Sequence, residues 1–312
     1  MRQDSLFVCI GLIAGVWGCE RDSANNLRDG AVSDTGDSFQ DVVDGADMDH
    51  DVVVNPEPDF LWPPSQFALE LADWGLSFSG LVVDGPRVAF HIEAERDGFC
   101  RKLTYEPVNC TPTCGVDAVC VGGECKTHPL PISIGDVELS GFSNGTIVVS
   151  EGPVGQYFYQ TETVFAADAP QNIGLSPVES GPLAFDLSVS KVTAVVPAAD
   201  WSQIISARGQ GDATLRWNNP DPTARIYIRM TTGIGTHGGI SPVEIECEGP
   251  DVGELRLPGS FLDALYAEGW SCGECGGNDL WRYRAATTES SNPIQFRVQA
   301  RSTFFHHPKF DF

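Results

Sequence analysis

Arg225-Ile226-Tyr227-Ile228-Arg229-Met230, followed after a glycine-rich gap by Val243-Glu244-Ile245-Glu246-Cys247, is the stretch that decides the fold. Both runs alternate apolar and polar residues with period two, as strands do when one face covers a core and the other meets water. The same alternation recurs over residues 87–94, 181–189, 213–217, 280–284 and 294–300, with Gly, Pro, Asn and Asp filling the gaps. On this reading Trp217 and Trp281 are core residues. One short helix is expected, with Ser260 capping Phe261–Tyr266 and Gly269 beyond its end. Many short strands without alternating helices predict a mainly β protein, an antiparallel sandwich or a jelly-roll-like fold.

The amino terminus reads differently. Arg2 precedes a twelve-residue apolar run, Leu6 to Trp17, and Gly18-Cys19 follows. That order is the grammar of an export signal, and the run is too short to cross roughly 30 Å of hydrocarbon. A small residue before a cysteine resembles the lipobox of bacterial lipoproteins. The resemblance implies removal of residues 1–18 and lipidation of Cys19. From Glu20 to Asp59 twelve acidic residues face only Arg21 and Arg28, a net charge of −10. Such a segment cannot bury enough apolar surface to offset its ordering entropy, so residues 19–59 are expected to form a disordered acidic tether. Within it, Asp47-Met48-Asp49-His50-Asp51 opens like a calcium loop. Val52 and Pro58 stand where that loop needs Gly and Glu, and the pattern fails.

Residues 60–312 carry the remaining charge of −14, which disfavours nucleic acid and anionic lipid as partners. With Cys9 removed and Cys19 lipidated, eight cysteines remain: Cys100, Cys110, Cys114, Cys120, Cys125, Cys247, Cys272 and Cys275. An even number in an exported chain predicts disulfides. Five lie early and three late, so full pairing requires a bond between the groups. Cys100 is the candidate for it, with Cys247, Cys272 or Cys275. Such a bond favours one sandwich over two separate domains. Residues 100–126 form a cysteine-rich insertion, and Cys110 to Cys125 resembles a truncated EGF-like knot. That resemblance implies Cys110–Cys120 and Cys114–Cys125 pairing.

Four features invite chemical readings. Cys272-Gly-Glu-Cys275 has the spacing of a redox pair or half a zinc site, which Cys247 and a histidine could complete. Its glycine-rich surroundings and an oxidising compartment favour a structural disulfide. Gly141-Phe142-Ser143-Asn144-Gly145 matches a hydrolase elbow, but the strand-like Thr146–Ser150 follows where a helix is required. Asn144-Gly145 between two strand runs predicts a hairpin turn instead. Among the histidines, only the adjacent pair His306-His307 is close in sequence, and neighbouring strand residues face opposite ways. His237 lies in a glycine-rich loop that lacks a phosphate-binding lysine. Trp62, Trp74, Trp201 and Trp270 flank turns and could together form a sugar-stacking platform.

The lipobox Cys19, the aspartate-rich spacer, the knot and the block from Ile245-Glu246-Cys247 through Leu255-Arg256-Leu257 to the helix resemble β-rich surface lipoproteins of myxobacteria and their relatives. The resemblance is one of arrangement and brings no function with it. The expectation is a lipid-anchored protein of the bacterial envelope, periplasmic or on the outer-membrane surface. A non-enzymatic binding or scaffolding role is expected, with a glycan or protein ligand. No catalytic set, cofactor, metal or nucleic-acid partner is expected. The alternatives are carbohydrate binding through tryptophans and a hydrolase built from dispersed residues such as His91 and His237.

Overall fold

The computed structural model describes Phe60 and residues 63–105, 109–163, 169–179, 183–201, 204, 209, 211–231, 240–268 and 278–304. Cys19, the tether with its Asp47–Asp51 run, Trp62, His237, Trp270, Cys272, Cys275, His306 and His307 therefore lie outside the described residues.

The chain is mainly β, with one described α-helix. In chain order the first strands are β1 (Ser65–Ala72), β2 (Gly75–Leu81), β3 (Ile92–Asp97), β4 (Cys100–Thr104), β5 (Ala118–Val121), β6 (Glu124–Thr127), β7 (Val137–Ser140) and β8 (Ile147–Val149). There follow β9 (Gln156–Thr161), β10 (Asn172–Pro177), β11 (Leu187–Ser190), β12 (Ala213–Arg216), β13 (Arg225–Thr231) and β14 (Val243–Pro250). The last elements are β15 (Glu254–Leu257), helix α1 (Gly259–Ala267), β16 (Asn278–Thr287) and β17 (Ile294–Phe304).

Nine strands make one sheet in the order β3-β4-β14-β13-β16-β17-β1-β2-β9. Its ladders are antiparallel except one, in which β1 runs parallel to β17 with Ser65 opposite Ile294. A parallel pair needs a long crossover, and here the crossover is almost the whole domain. The first and last described strands thus lie side by side inside the sheet, whose edges are β3 and β9.

Two apolar cores lie under this sheet. Phe67, Leu69, Phe78, Phe296 and Val298 pack with Val137, Leu139, Ile173, Leu175 and Val189 of the four-stranded sheet β11-β10-β7-β8. Ile226, Ile228, Ile245 and Leu280 pack with Leu215, Leu255 and Leu257 of the β12–β15 pair and with Phe261 and Leu265 of α1. The arrangement is a sandwich whose second layer is divided between a small sheet and a strand pair with a helix.

Among the described residues there are three disulfides. Cys100–Cys247 joins directly opposite residues of β4 and β14, and both cysteines are fully buried. It links residues 147 apart, the early-to-late bond that cysteine parity requires. Cys110–Cys120 and Cys114–Cys125 pin the β5–β6 hairpin, with the pairing that the EGF-like resemblance implies.

Local details depart from the sequence reading in several places. Of the run expected over 181–189, residues 183–186 are not strand, and β11 begins at Leu187. Residues 87–91 are not strand. β3 begins at Ile92 as an edge strand, exposed nearly throughout, with Glu93 and Glu95 paired to Arg96, Arg101 and Lys102. Charge at an edge discourages further strand pairing, and β3 contributes no residue to either core. In α1 the helix starts one residue before Ser260, without a side-chain cap from its own flank. Asp212 replaces it, accepting the Gly259 N–H at 2.9 Å. That bond, then Arg256, holds the Asp212 carboxyl below the ordinary carboxylate range.

Gly259 is required there. A Cβ built on it would meet the backbone of Gly211 at 2.4 Å. Gly259→Ala is expected to cost about 1–3 kcal/mol by forcing α1 off the 211–212 segment. A denaturant midpoint equal to that of the wild type would show that the helix start is not so tightly seated.

Candidate functional site

The alternation that builds the cores leaves the other face of the nine-stranded sheet polar. Ile226, Ile228 and Met230 of β13 point to the core, so Arg225, Tyr227 and Arg229 share the opposite face. β14 adds Glu244, Glu246 and Glu248, and β4 adds Arg101. β16 contributes Asp279, Trp281 and Tyr283, β17 contributes Gln295, Arg297, Gln299 and Arg301, and β1 contributes Glu70.

These side chains interlock across the strands. Arg225 donates to Glu248 at 2.8 Å, Tyr227 to Glu246 at 2.8 Å and Arg229 to Glu244 at 2.7–3.0 Å. Each bond runs diagonally rather than to the residue directly opposite, a reach that long side chains on a twisted sheet readily make. Arg101 binds Glu246 at 2.6 Å, and the Tyr283 hydroxyl binds Glu248. Arg297 lies 4.6 Å over the Tyr283 ring, while Arg301 reaches Glu70 at 2.9 Å and Asp279 at 3.4 Å. Trp281 stacks on Tyr227, with centroids 5.6 Å apart and the planes 30° from parallel.

The electrostatics follow from burial. Burial first, and the adjoining Glu246 and Glu248 second, push the Tyr227 and Tyr283 phenols well above their ordinary range, so both remain neutral donors. For Arg229 burial opposes the charge, and Glu244 more than restores it. On these six strands the face carries five arginines, at 101, 225, 229, 297 and 301, and five carboxylates, at 70, 244, 246, 248 and 279, and β3 adds the Arg96–Glu93 pair beside Arg101. Its formal charge is therefore zero although the domain is acidic. Arg229 and Arg301 keep side-chain exposures of 43% and 36%, while Trp281 is half-buried.

Trp281 is the main departure from the sequence reading. In Leu280-Trp281-Arg282-Tyr283-Arg284 the core side takes Leu280 and the two arginines, because Leu280 and Arg282 stand opposite Ile228 and Ile226. Arg282 and Arg284 can enter the layer between sheets because Asp251 and Asp221 meet them there at 2.6 and 2.7 Å. Trp281 and Tyr283 are consequently turned to the polar face. Trp217 is core as expected, with its indole N–H on Asp251. Trp201 does not belong to a platform. It is buried edge-on against Trp217 and donates to the Arg216 carbonyl. Trp74, in the β1–β2 turn, is 41% exposed.

Other candidates resolve simply. Asn144-Gly145 turns between β7 and β8, with Gly145 at φ +104° and its N–H on the Phe142 carbonyl. Ser143 therefore sits on a hairpin, beside a depression of about 290 Å³ whose lining among the described residues includes Asn144, Thr146 and Thr163 but no acid, base or thiol. His91 Nε2 lies 2.7 Å from the carbonyl of Ser241 and 3.4 Å from Glu244, while the Ser241 hydroxyl donates to the Val243 carbonyl. His128 is exposed. The sulfurs of Cys110, Cys114 and Cys125 converge because two disulfides meet there, and oxidised sulfurs offer a metal no thiolate. Among the described residues no helix is long and apolar enough to cross a membrane.

No family model matches the chain, and no curated protein does. A solved structure described as bearing on host cell surface retention of a 1.5-MDa bacterial ice-binding adhesin aligns with 81% of this chain at 8% identity. The chain spans 66% of that structure's length, and a TM-score of 0.18 is too low to indicate a shared fold.

Proposed function

We propose that this chain is a lipid-anchored bacterial envelope protein, held at Cys19, with a non-enzymatic binding role exerted by the polar face of its nine-stranded sheet. The observation that carries the binding role is the interlocked face itself. Side chains from six strands are fixed by one another, while the heads of Arg229 and Arg301 remain exposed. Groups already held in place lose little freedom when a ligand binds, which is the advantage of a preorganised surface. Export is supported by three disulfides, which persist in oxidising compartments. The acidic stretch of residues 20–59 suits a spacer between membrane and domain.

Two measurements test this. Radiolabelled palmitate is expected to enter the wild-type protein and not a Cys19→Ala variant. Label in both, or in neither, would remove the anchor. The Cys19→Ala protein, released and still disulfide-bonded, is expected to rebind saturably to isolated envelopes of the producing bacterium. Adding Trp281→Ala, Arg229→Ala and Arg301→Ala should abolish that retention while circular dichroism stays unchanged. Equal retention of both proteins would place binding elsewhere.

A further inference from the structure

The composition of the polar face narrows the chemistry of its ligand, provided that the face is the binding surface proposed above. On the six strands its five arginines are matched by five carboxylates. Each carboxylate lies within 3.4 Å of an arginine nitrogen on the same face. A polyanion would find no surplus positive charge there and would approach a domain of net charge −14. A polycation would have to break existing pairs to gain new ones. The surface is matched to an uncharged ligand rich in hydrogen-bonding groups.

The arrangement around Trp281 adds shape. Trp281 is flanked on β13 by Tyr227, on which it stacks, and on β17 by Arg301, directly opposite in register. Arg229 uses Nε and Nη2 on Glu244, which among the described residues leaves Nη1 uncommitted on a head 43% exposed. Arg301 is fixed between Glu70 and Asp279. A flat ring between planar, immobilised donors and charged acceptors is what a sugar requires. Its C–H face lies on the indole, and its equatorial hydroxyls bond in the plane around it. Peptides could use the same groups, but an unpaired peptide strand would seek a sheet edge, and the groups here stand on a sheet face.

We propose that the ligand of this face is a neutral polysaccharide, stacked on Trp281, with hydroxyls bound by Arg229, Arg301 and the carboxylates of Glu70 and Asp279 that hold Arg301.

The test uses the full chain with Cys19→Ala, its disulfides intact, in affinity electrophoresis through gels containing neutral glucan, mannan or xylan. Parallel gels contain polygalacturonate, a sulfated glycan or polylysine. Tryptophan emission titrations with matching oligosaccharides give Kd. Retardation by at least one neutral polymer is expected, with a Kd that moves less than about twofold as salt is raised severalfold, since no net charge is neutralised. Trp281→Ala is expected to weaken binding roughly tenfold. Trp281→Phe, which keeps a ring, should retain most of it, and Trp74→Ala should retain all. Retardation only by a charged polymer, weakening with salt, would overturn the neutral class and leave the face as a binding surface. Neutral binding indifferent to Trp281→Ala would overturn the placement on this ring. Silence in every gel, with envelope retention intact, would overturn the polysaccharide. Silence in both assays would remove the binding reading as well.

Discussion

Replacing Cys100 and Cys247 together by alanine is expected to cost about 5 kcal/mol of stability, the largest effect of any disulfide in the described structure. In the chain-entropy account a bond stabilises by restricting the unfolded chain, and the restriction grows with the logarithm of the loop it closes. This bond closes a loop of 147 residues, against 10 and 11 for the two bonds of the knot, each worth about 3 kcal/mol on the same scale. Its position adds a structural consequence. β14 is the inner neighbour of β4, and beyond β4 lies only β3, whose exposed strand contributes no residue to either core. Without the bond the β3–β4 edge would keep its ladder and the burial of Leu103, but lose its covalent tie. Guanidinium unfolding of the oxidised wild type and of the double variant measures the difference. A loss below about 1 kcal/mol would mean that the unfolded chain retains structure across this loop.

That bond was also among the features most legible in the sequence. Parity among eight cysteines, five early and three late, called for a bridge and pointed to Cys100. The alternation in β13, β14 and β17 likewise announced which side chains are core, because Ile, Val and Phe occupy one parity without exception. Legibility failed where a charge was buried. In β16 the alternation is real but inverted, since Arg282 and Arg284 go inward and the aromatics outward. Nothing near them in sequence shows that Asp251 and Asp221 wait on loops tens of residues away. The face around Trp281 was hidden for the same reason: its members come from six strands whose order is set by long-range pairing. The parallel β1–β17 ladder joins residues more than two hundred apart, beyond the reach of any local pattern. Edge strand β3 was misplaced because its period-two signal described a strand that has no layer to cover it.

The cost of that buried charge supplies the second large effect. Asp251→Ala is expected to destabilise the domain by about 3–5 kcal/mol, because it strands a guanidinium that has no access to water. Asp251 and Arg282 are 0% and 1% exposed in their side chains and 2.6 Å apart. The carboxylate serves more than the arginine: it also accepts the Trp217 indole N–H at 2.6 Å and the Asp221 backbone N–H at 3.0 Å. Arg282 in turn donates to the carbonyls of Thr193 and Asn219, so one ion pair binds β16 to two connecting segments. For a domain of this size each kcal/mol lowers Tm by roughly 2–4 °C, so thermal unfolding should fall by about 10 °C. Asp251→Asn should cost less, since an amide oxygen in the place of Oδ2 can still accept from Arg282 and from the Asp221 N–H. The instructive variant is the double one, Asp251→Ala with Arg282→Met. Removing both charges eliminates the stranded guanidinium, so the double variant is expected to be more stable than Asp251→Ala alone. It should not regain the wild-type value. The indole N–H of buried Trp217 would still lack its partner, and an unsatisfied buried group costs about 1–3 kcal/mol. A double variant as unstable as the sum of the two single ones would show that the charges act independently, and that the pair is not what admits arginine to this layer.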